Sequence, residues 1–294
     1  FYIWDSPISV YKLQYQARKN IIFLQHGVTA FKQCHKTYRK NCGNQMALFV
    51  VTSEPEQKII EKYFGYDKEE VIVTGFSRWD VLEDRSDPAH KEILLMPTWR
   101  NWLEDISEDA FRKSEYYQRY ETLLQDERLR TILERENITL NFYIHAKFRE
   151  RLGNFYTEDR HIRLIPFGTV PLNQLLMSCH MLITDYSSVS WEVYYQGKPV
   201  VFYPFDLETY EKAHGSYVDY RKDVFGDLAW TEEELLDTIE SYVKNNFQEK
   251  PEYAKRRDTL LPYRDHNNSK RIYEAIVRAH IPSKLKKRRK DINF

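Results

Sequence analysis

Short apolar runs alternate with longer amphipathic segments along most of the chain. Apolar runs bounded by polar or turn-forming residues are typical of buried strands, and the amphipathic segments between them are typical of crossover helices. The alternation therefore predicts an α/β fold built on parallel sheets. In the first third of the chain, the predicted strands are residues 21–24, 47–52 and 71–74, with a helix over 55–64 that Ser53 caps.

A second series of apolar runs begins after a polar stretch, residues 83–91, which predicts a linker. Its predicted strands are 93–96, 140–144, 162–165, 181–184 and 200–203, and its predicted helices lie near 115–136, 172–178, 188–196, 232–246 and 269–279.

The two series predict two Rossmann-like domains with the ligand in the cleft between them. We place them at residues 1–85 and 86–266, followed by a C-terminal helix and basic tail at 267–294. The first domain has too few strands for a complete doubly wound sheet, and the chain starts at Phe1 without an initiator Met. We therefore expect an N-terminal domain that is partly missing, in a piece of a longer protein.

Composition excludes some function classes. Lys plus Arg and Asp plus Glu each total 44 of the 294 residues, so the net charge is zero, which argues against nucleic acid as the main partner. The three cysteines are irregularly spaced and indicate neither a disulfide framework nor a zinc site, although Cys34-His35 with Cys42 is an alternative partial metal site. No apolar run is long enough to span a bilayer.

Two histidines follow predicted strands directly. His26 and Gly27 come after the strand at 21–24, where glycine lets a substrate approach the backbone and an imidazole can accept a hydroxyl proton near neutral pH. His145 follows the strand at 140–144, with Lys147 and Arg149 close behind, which suits an anionic substrate. The alternatives are a loop histidine that satisfies a carbonyl group and a solvated basic turn.

The stretch 182–192 reads as a strand, a turn and a helix. Thr184 and Asp185 close the strand, and Ser187 and Ser188 stand where the helix is predicted to begin. Free N–H groups at a helix start attract phosphate, and hydroxyl groups add donors. Glu192 falls one turn inside the helix and could face a ribose. The alternative is a plain N-cap.

Another polar group follows the strand at 93–96. Thr98 and Arg100 belong to the sequence PTWR, where the arginine could bind a diphosphate in bidentate fashion. The chain has no Gly-rich Walker loop, no GxGxxG and no Asp-x-Asp pair. We therefore expect a transfer reaction without a metal and without a cofactor.

Taken together, these segments resemble the CDP-glycerol glycerophosphotransferases, the polymerases and primases of teichoic acid synthesis. The resemblance runs from about residue 20 to 280. It is carried by QHG (25–27), TGFSRWD (74–80), PTWR (97–100), TDYSSVSWE (184–192), KPVVFYPFDLETYEKAHGSYVDY (198–220) and DHNNSKRI (265–272).

The resemblance implies a fold and an activity. Such proteins have the glycosyltransferase B architecture and move glycerol phosphate from CDP-glycerol to a hydroxyl of a lipid-linked polymer, releasing CMP. On this resemblance His26 would be the base on the acceptor hydroxyl, and His145 would lie near the diphosphate. Ser187 and Ser188 would bind phosphate, and Arg100 would lie near the nucleotide.

Three departures keep the donor open. Ala146 follows the second histidine where the family usually has proline, Glu192 stands where aspartate is usual, and Gln25 precedes the first histidine where tryptophan is frequent. Ribitol phosphate, another polyol phosphate or a capsule polymer is therefore an alternative. A nucleotide-sugar glycosyltransferase, an epimerase of the same fold and a non-catalytic polymer-binding module are further alternatives.

The resemblance also implies a location. Such proteins lie on the cytoplasmic face of the plasma membrane, and the basic tail at 284–290 could attract an anionic membrane surface. The alternative for this tail is a solvated, disordered segment.

Overall fold

The structure is a computed structural model that describes residues 2–4, 21–40 and 46–281. Its described residues group into two compact units. Unit 1 takes Phe1–Leu82, Ser216–Val218 and Lys255–Phe294, and unit 2 takes Glu83–Gly215 and Asp219–Ala254. We expected the second domain to reach residue 266, whereas the chain joins unit 1 again from Lys255.

The regular elements are numbered here in chain order. The strands are β1 (Tyr2–Trp4), β2 (Ile21–Phe23), β3 (Met46–Val51), β4 (Val71–Val73), β5 (Glu92–Leu95), β6 (Thr139–Tyr143), β7 (Ile162–Ile165), β8 (Met181–Thr184), β9 (Val200–Phe202) and β10 (Asp227–Leu228). The α-helices are α1 (His35–Tyr38), α2 (Glu54–Ile59), α3 (Glu108–Arg112), α4 (Glu115–Gln125), α5 (Glu127–Glu136), α6 (Leu172–Ser178), α7 (Ser190–Tyr195), α8 (Leu207–His214), α9 (Tyr220–Asp223), α10 (Glu232–Lys244), α11 (Pro251–Leu260) and α12 (Asn268–Arg278).

Unit 1 contains a four-stranded parallel sheet in the order β1-β2-β3-β4. The predicted strands β2, β3 and β4 are confirmed to within a residue at each end, and β1 was not predicted. Ser53 caps α2 as predicted, because its side chain accepts a hydrogen bond from the backbone N–H of Glu56. The predicted helix continues past α2 as a π-helical turn, Ile60–Phe64.

Unit 2 contains a six-stranded parallel sheet in the order β10-β9-β8-β5-β6-β7. Its central strands are apolar because helices and loops cover both faces of a parallel sheet. Ile93, Leu140 and Ile183 belong to the resulting core and are completely or almost completely buried. The five predicted strands of this unit are confirmed, and β10 was not predicted.

The helices that were predicted for unit 2 differ from those of the structure in two places. The helix predicted over 115–136 is two helices, α4 and α5, because Asp126 ends the first and caps the second with its side chain on the N–H of Leu129. The helix predicted from residue 188 begins only at Ser190. The short helices α3, α8 and α9, and α11, were not predicted.

The strand order of unit 2 identifies a topological switch point. The chain proceeds from β5 to β6 and β7 on one side, and β8, β9 and β10 lie on the other side of β5. In open α/β sheets a crevice forms at the carboxyl ends of the two strands where the order reverses. In unit 2 these strands are β5 and β8, so Thr98 and Asp185 follow the strands that border the crevice.

Candidate functional site

A buried ion cluster lies at the carboxyl edge of the sheet in unit 2. Arg100 is completely buried and donates through Nε and Nη2 to the two carboxylate oxygens of Asp206, at 2.6 and 2.8 Å. Its Nη2 also lies 2.8 Å from Oδ2 of Asp185, and its Nη1 donates to the carbonyl oxygen of Thr98 at 2.6 Å. One guanidinium therefore joins the loops that follow β5, β8 and β9.

Aromatic rings surround the guanidinium of Arg100. Its central carbon lies 4.9 Å from the ring centre of Tyr186 and 5.3 Å from that of Tyr116. Burial by itself lowers the pKa of Arg100, but the charges of Asp185 and Asp206 raise it well above its usual value. Arg100 therefore remains a cation between the side chains of Asp185 and Asp206.

This burial bears on the expectation that Arg100 binds a diphosphate directly. The structure does not support such a contact, because the guanidinium has no solvent-exposed surface and its donors already meet Asp185, Asp206 and the Thr98 carbonyl. Asp185 is also completely buried, and its Oδ1 accepts the backbone N–H groups of Thr98 and Tyr186 at 2.8 and 2.6 Å. Arg100 and Asp185 therefore hold the loops at the carboxyl edge of the sheet together through buried contacts.

The other residues of the predicted turn fall into two groups. Thr184 is buried and donates its hydroxyl to the carbonyl oxygen of Met96 at 2.6 Å, so it joins β8 to the end of β5. Ser187 and Ser188 are half-buried in the turn before α7, and Glu192 is half-buried in the first turn of that helix. These three side chains remain accessible to a ligand.

Thr98 lies at the switch point and has an unused polar atom. Its hydroxyl oxygen is buried and has no hydrogen-bond partner within the part of the chain that the structure describes. A buried polar atom without a partner is costly, and such atoms are often satisfied by a ligand or a water molecule. Thr98 therefore lies at the switch point with an unsatisfied hydroxyl group that is itself buried.

A pocket of about 330 Å³ adjoins His145 at the same edge of the sheet. The pocket is formed by residues at and beyond the carboxyl ends of β5, β6 and β7: Met96, Tyr143, His145, Ala146, Phe167, Gly168, Val170, Pro171 and Leu172. His145 accepts the backbone N–H of Lys147 on Nδ1 at 3.2 Å, so the neutral ring carries its proton on Nε2. The sequence predicted a group of positive charges behind His145. This group is partly neutralised, because the ammonium of Lys147 pairs with Glu104 at 2.7 Å.

His26 and Gly27 lie in a loop of unit 1 that follows β2. The side chain of His26 is exposed, and its ring centre is 6.0 Å from that of Tyr38. Arg78, from the TGFSRWD motif, donates to the carbonyl oxygens of Gln25 and His26, both at 3.2 Å. Gly27 is half-buried. The structure therefore places His26 at the carboxyl end of a parallel strand, as the sequence indicated.

Sequence reasoning missed two carboxylates that build these sites, Asp206 and Glu56. Asp206 follows β9 in the sequence YPFD, just as Arg100 follows β5 in PTWR, so a polar residue soon after an apolar strand was the available signal. Glu56 had no such signal, because it stands inside a predicted helix.

None of the helices within residues 21–40 and 46–281 is both long and apolar enough to cross a membrane. Over the same residues, His, Cys, Asp and Glu side chains form no group of at least three that could hold a metal ion. Cys42 and the basic tail at 284–290 lie outside the described residues.

The sequence matches the profile of one protein family, described as CDP-glycerol:poly(glycerophosphate) glycerophosphotransferase, over residues 3–278. The chain belongs to this family. The matched region contains both histidines, the ion cluster of unit 2 and the turn at Ser187 and Ser188.

Curated relatives of this family member are proteins of teichoic acid synthesis. It is 32% identical over 266 residues to the minor teichoic acid biosynthesis protein GgaB of Bacillus subtilis, which covers 87% of this chain and 29% of the relative. It is 25% identical to the teichoic acid ribitol-phosphate polymerase TarK of Staphylococcus aureus, covering 94% of this chain and 56% of the relative. The chain thus spans less than two thirds of the length of these relatives.

Solved structures share the fold of this family member. The wall teichoic acid polymerase TagF has a TM-score of 0.68 at 18% identity, covering 96% of this chain and 73% of that one. The UDP-GlcNAc 2-epimerase of Neisseria meningitidis, bound to UDP-GlcNAc, has a TM-score of 0.57 at 12% identity, covering 94% and 76%. These likenesses confirm the predicted α/β fold with parallel sheets and its relation to the glycosyltransferase B class.

Proposed function

We propose that this chain is the transferase part of an enzyme of teichoic acid or capsule synthesis. It would move a polyol phosphate, most simply glycerol phosphate, from a CDP-alcohol to a hydroxyl group of a lipid-linked polymer and release CMP. The observation that carries this proposal is the family match over residues 3–278, which includes both histidines that sequence reasoning selected independently.

The donor nucleotide would bind at the carboxyl edge of the sheet in unit 2. Two features support this position: the switch point between β5 and β8, and the pocket beside His145. Ser187, Ser188 and Glu192 would contact the diphosphate and the ribose. The loops that carry these side chains would be held in place by the buried contacts of Thr184, Asp185 and Arg100.

The reaction would be an in-line phosphoryl transfer. The acceptor hydroxyl oxygen forms a bond to the β-phosphorus of the donor, while the bond from that phosphorus to the bridging oxygen breaks and CMP leaves with the electron pair. His26 takes the hydroxyl proton, and His145 stabilises the charge on the leaving phosphate. Alignment of the two reactants and stabilisation of developing charge would supply most of the rate.

A variant series tests the role of His26. We expect His26→Ala to lower kcat for CMP release by about 10²–10⁴-fold, because a general base contributes that much. Binding of the CDP-alcohol, measured by calorimetry, should stay close to that of the parent protein. His90→Ala is the matched control, because His90 is an exposed histidine outside both candidate sites. An unchanged kcat in His26→Ala would remove this residue from the mechanism.

For the residues of the donor site we expect a loss of donor binding, which His26→Ala should not show. His145→Ala and Ser187→Ala should weaken CDP-alcohol binding as well as turnover, because their partners are on the donor. Donor binding that is unchanged in both variants would contradict the placement of the nucleotide at this edge.

The likeness to a UDP-GlcNAc 2-epimerase supports one alternative, a nucleotide-sugar enzyme. Thermal-shift screening of CDP-glycerol, CDP-ribitol and UDP-GlcNAc, followed by a nucleotide-release assay, separates the two functions. CMP release from a CDP-alcohol supports the transferase. Stabilisation by UDP-GlcNAc alone, with release of UDP or an altered sugar, supports the alternative.

The proposed location is the cytoplasmic face of the plasma membrane, with the basic tail at 284–290 held by anionic lipid. The support is the charge of this tail, since each basic residue near an anionic surface contributes about 1 kcal/mol of attraction. Co-sedimentation with vesicles should increase with their phosphatidylserine content and decrease when the tail is deleted. Binding that is independent of both would contradict the proposal.

A further inference from the structure

We propose that Glu56 is a positioning residue that holds the His26 loop, residues 24–29, in the conformation the transfer reaction needs. This inference rests on the proposed function, because it concerns the residue proposed as the base. Glu56 does not touch the substrate in this account. It acts through the backbone of the loop and through Gln25, the residue next to His26.

The carboxylate of Glu56 lies between two loops of unit 1. Only 2% of this residue is exposed. Its Oε1 accepts the backbone N–H of Thr29 at 2.7 Å and the side-chain amide of Gln25 at 3.2 Å. Its Oε2 accepts the backbone N–H and the hydroxyl of Thr52 at 2.7 and 2.8 Å. One side chain therefore joins the loop after β2 to the end of β3.

Gln25 needs this support because its backbone is in a disfavoured conformation. Its φ is +60°, in the left-handed region that residues with a side chain rarely adopt. The side chain of Gln25 is buried and donates to the carbonyl oxygen of Val50 at 2.6 Å, while its Oε1 accepts the hydroxyl of Thr29 at 2.9 Å. Such conformations persist where the surroundings impose them, and they cluster at functional sites. The direction in which His26 leaves the strand depends on this residue.

The position of Glu56 in its helix also suggests a role other than capping. The sequence Ser53-Glu54-Pro55-Glu56 has the pattern of a capping box, in which the acidic side chain returns to the backbone of the cap residue. In the structure Ser53 caps the helix, but the carboxylate of Glu56 reaches Thr52 and crosses to Thr29 and Gln25. The side chain of Glu56 therefore connects two loops instead of returning to the backbone of the cap residue.

The geometry of the donors around Glu56 suits a carboxylate. Burial raises the pKa of this carboxyl group above its usual value, and the hydrogen bonds from Thr29, Thr52 and Gln25 offset part of that rise. The two backbone N–H groups can only donate, and one of them meets each carboxylate oxygen. An amide in place of the carboxylate would direct its NH₂ group at one of these N–H groups, whichever way it is turned.

The test compares Glu56→Gln with Gln57→Ala in the full chain. Gln57 is the next residue on the same helix, and it donates a hydrogen bond to the carbonyl oxygen of Val71 at 2.7 Å, away from the His26 loop. We expect Glu56→Gln to lower kcat for CMP release by between about tenfold and 10²-fold, because small misplacements of a reacting group have effects of this size. The KM for the CDP-alcohol should change little, and Gln57→Ala should keep the parental kcat.

A second readout is independent of turnover. The ring resonances of His26, assigned in carbon–proton NMR spectra by comparison with His26→Ala, should shift or broaden in Glu56→Gln and stay in place in Gln57→Ala. If the parent protein releases no CMP from any CDP-alcohol, the proposed function fails, and these spectra still decide whether Glu56 positions His26.

A second variant covers the case in which Glu56→Gln does not fold. Gln25→Ala removes the side-chain contact between residue 25 and Glu56, while Glu56 keeps both backbone N–H groups, so it should lower kcat and perturb His26 in the same direction. Parental kcat together with unchanged His26 spectra, in either variant, would overturn the proposal. An equal loss of kcat in Gln57→Ala would also overturn it, because the effect would then follow general damage to the helix.

Discussion

Replacing Arg100 by Met should destabilise unit 2 strongly, although the two side chains have similar volume. The substitution removes the cation from a buried cluster and leaves the carboxylates of Asp185 and Asp206 without it. Arg100 lies at 2.6 and 2.8 Å from the oxygens of Asp206 and at 2.8 Å from Asp185. Arg100 and Asp185 are completely buried and the Asp206 side chain is only 9% exposed, so water has little access to the contacts that the substitution breaks.

The expected loss in the free energy of unfolding is about 3–5 kcal/mol, the size found when one partner of a buried ion pair is removed. This is a large part of the roughly 5–15 kcal/mol that stabilises a typical domain. Arg128 provides a matched control in the same unit. It pairs with Asp237 and Glu240, but its side chain is 38% exposed, so Arg128→Met should lower the free energy of unfolding far less than Arg100→Met does.

Urea denaturation followed by tryptophan fluorescence measures both losses, because Trp99 and Trp102 lie in the loop that carries Arg100. A shift of the midpoint at constant slope reports a change in stability rather than in compactness. Equal midpoints for Arg100→Met and Arg128→Met would refute the reasoning. A triple variant that adds Asp185→Asn and Asp206→Asn should recover part of the loss, because it leaves no unpaired charge.

Three further predictions concern backbone conformation, capping and thiol reactivity. Gly75 and Gly65 both have φ near +75°. A Cβ at Gly75 would lie 2.2 Å from Oδ1 of the buried Asn268, whereas a Cβ at Gly65 would have no heavy atom within 4 Å. Alanine at Gly65 should cost about 1–2 kcal/mol in thermal unfolding, and alanine at Gly75 should cost clearly more; equal losses would contradict the clash. Ser53→Ala should cost about 1 kcal/mol in urea denaturation through the lost cap, and an unchanged midpoint would exclude it. Burial raises the pKa of Cys34 to about 11 and that of Cys179 to about 12, so both thiols stay protonated at pH 8. With the third cysteine replaced by serine, Ellman's reagent should therefore react slowly with the native protein and quickly in urea, and fast native labelling would contradict this burial.

The elements that could be predicted are those whose pattern is local. A buried parallel strand is a short apolar run, so the strands of unit 2 were predicted almost to the residue, apart from β10 with its two residues Asp227–Leu228. The helix predicted over 115–136 was divided in the structure because a capping aspartate, Asp126, interrupts a continuous amphipathic pattern. Short helices such as α9 were missed because four residues carry too little periodicity to recognise.

The candidate site divides in the same way. The positions of His26, His145 and Ser187 after strands follow from sequence, because the carboxyl ends of parallel strands carry the loops that bind ligands. The role of Arg100 did not follow. Arginine after a strand suits a diphosphate, and only the packing of Asp206 against it shows that its charge is used inside the protein.

The sequence by itself determined the α/β class, the strands β2 to β9 and the family, because apolar periodicity and an ordered set of short motifs are properties of neighbouring residues. The tertiary structure alone decided which charges are buried together and what holds each loop. The carboxylate partners of Arg100 are 85 or more residues away in the chain, and the partners of Glu56 include a loop that precedes it by about 30 residues. Such contacts depend on how the strands are ordered in the sheet, and the sequence pattern of neighbouring residues does not determine that order.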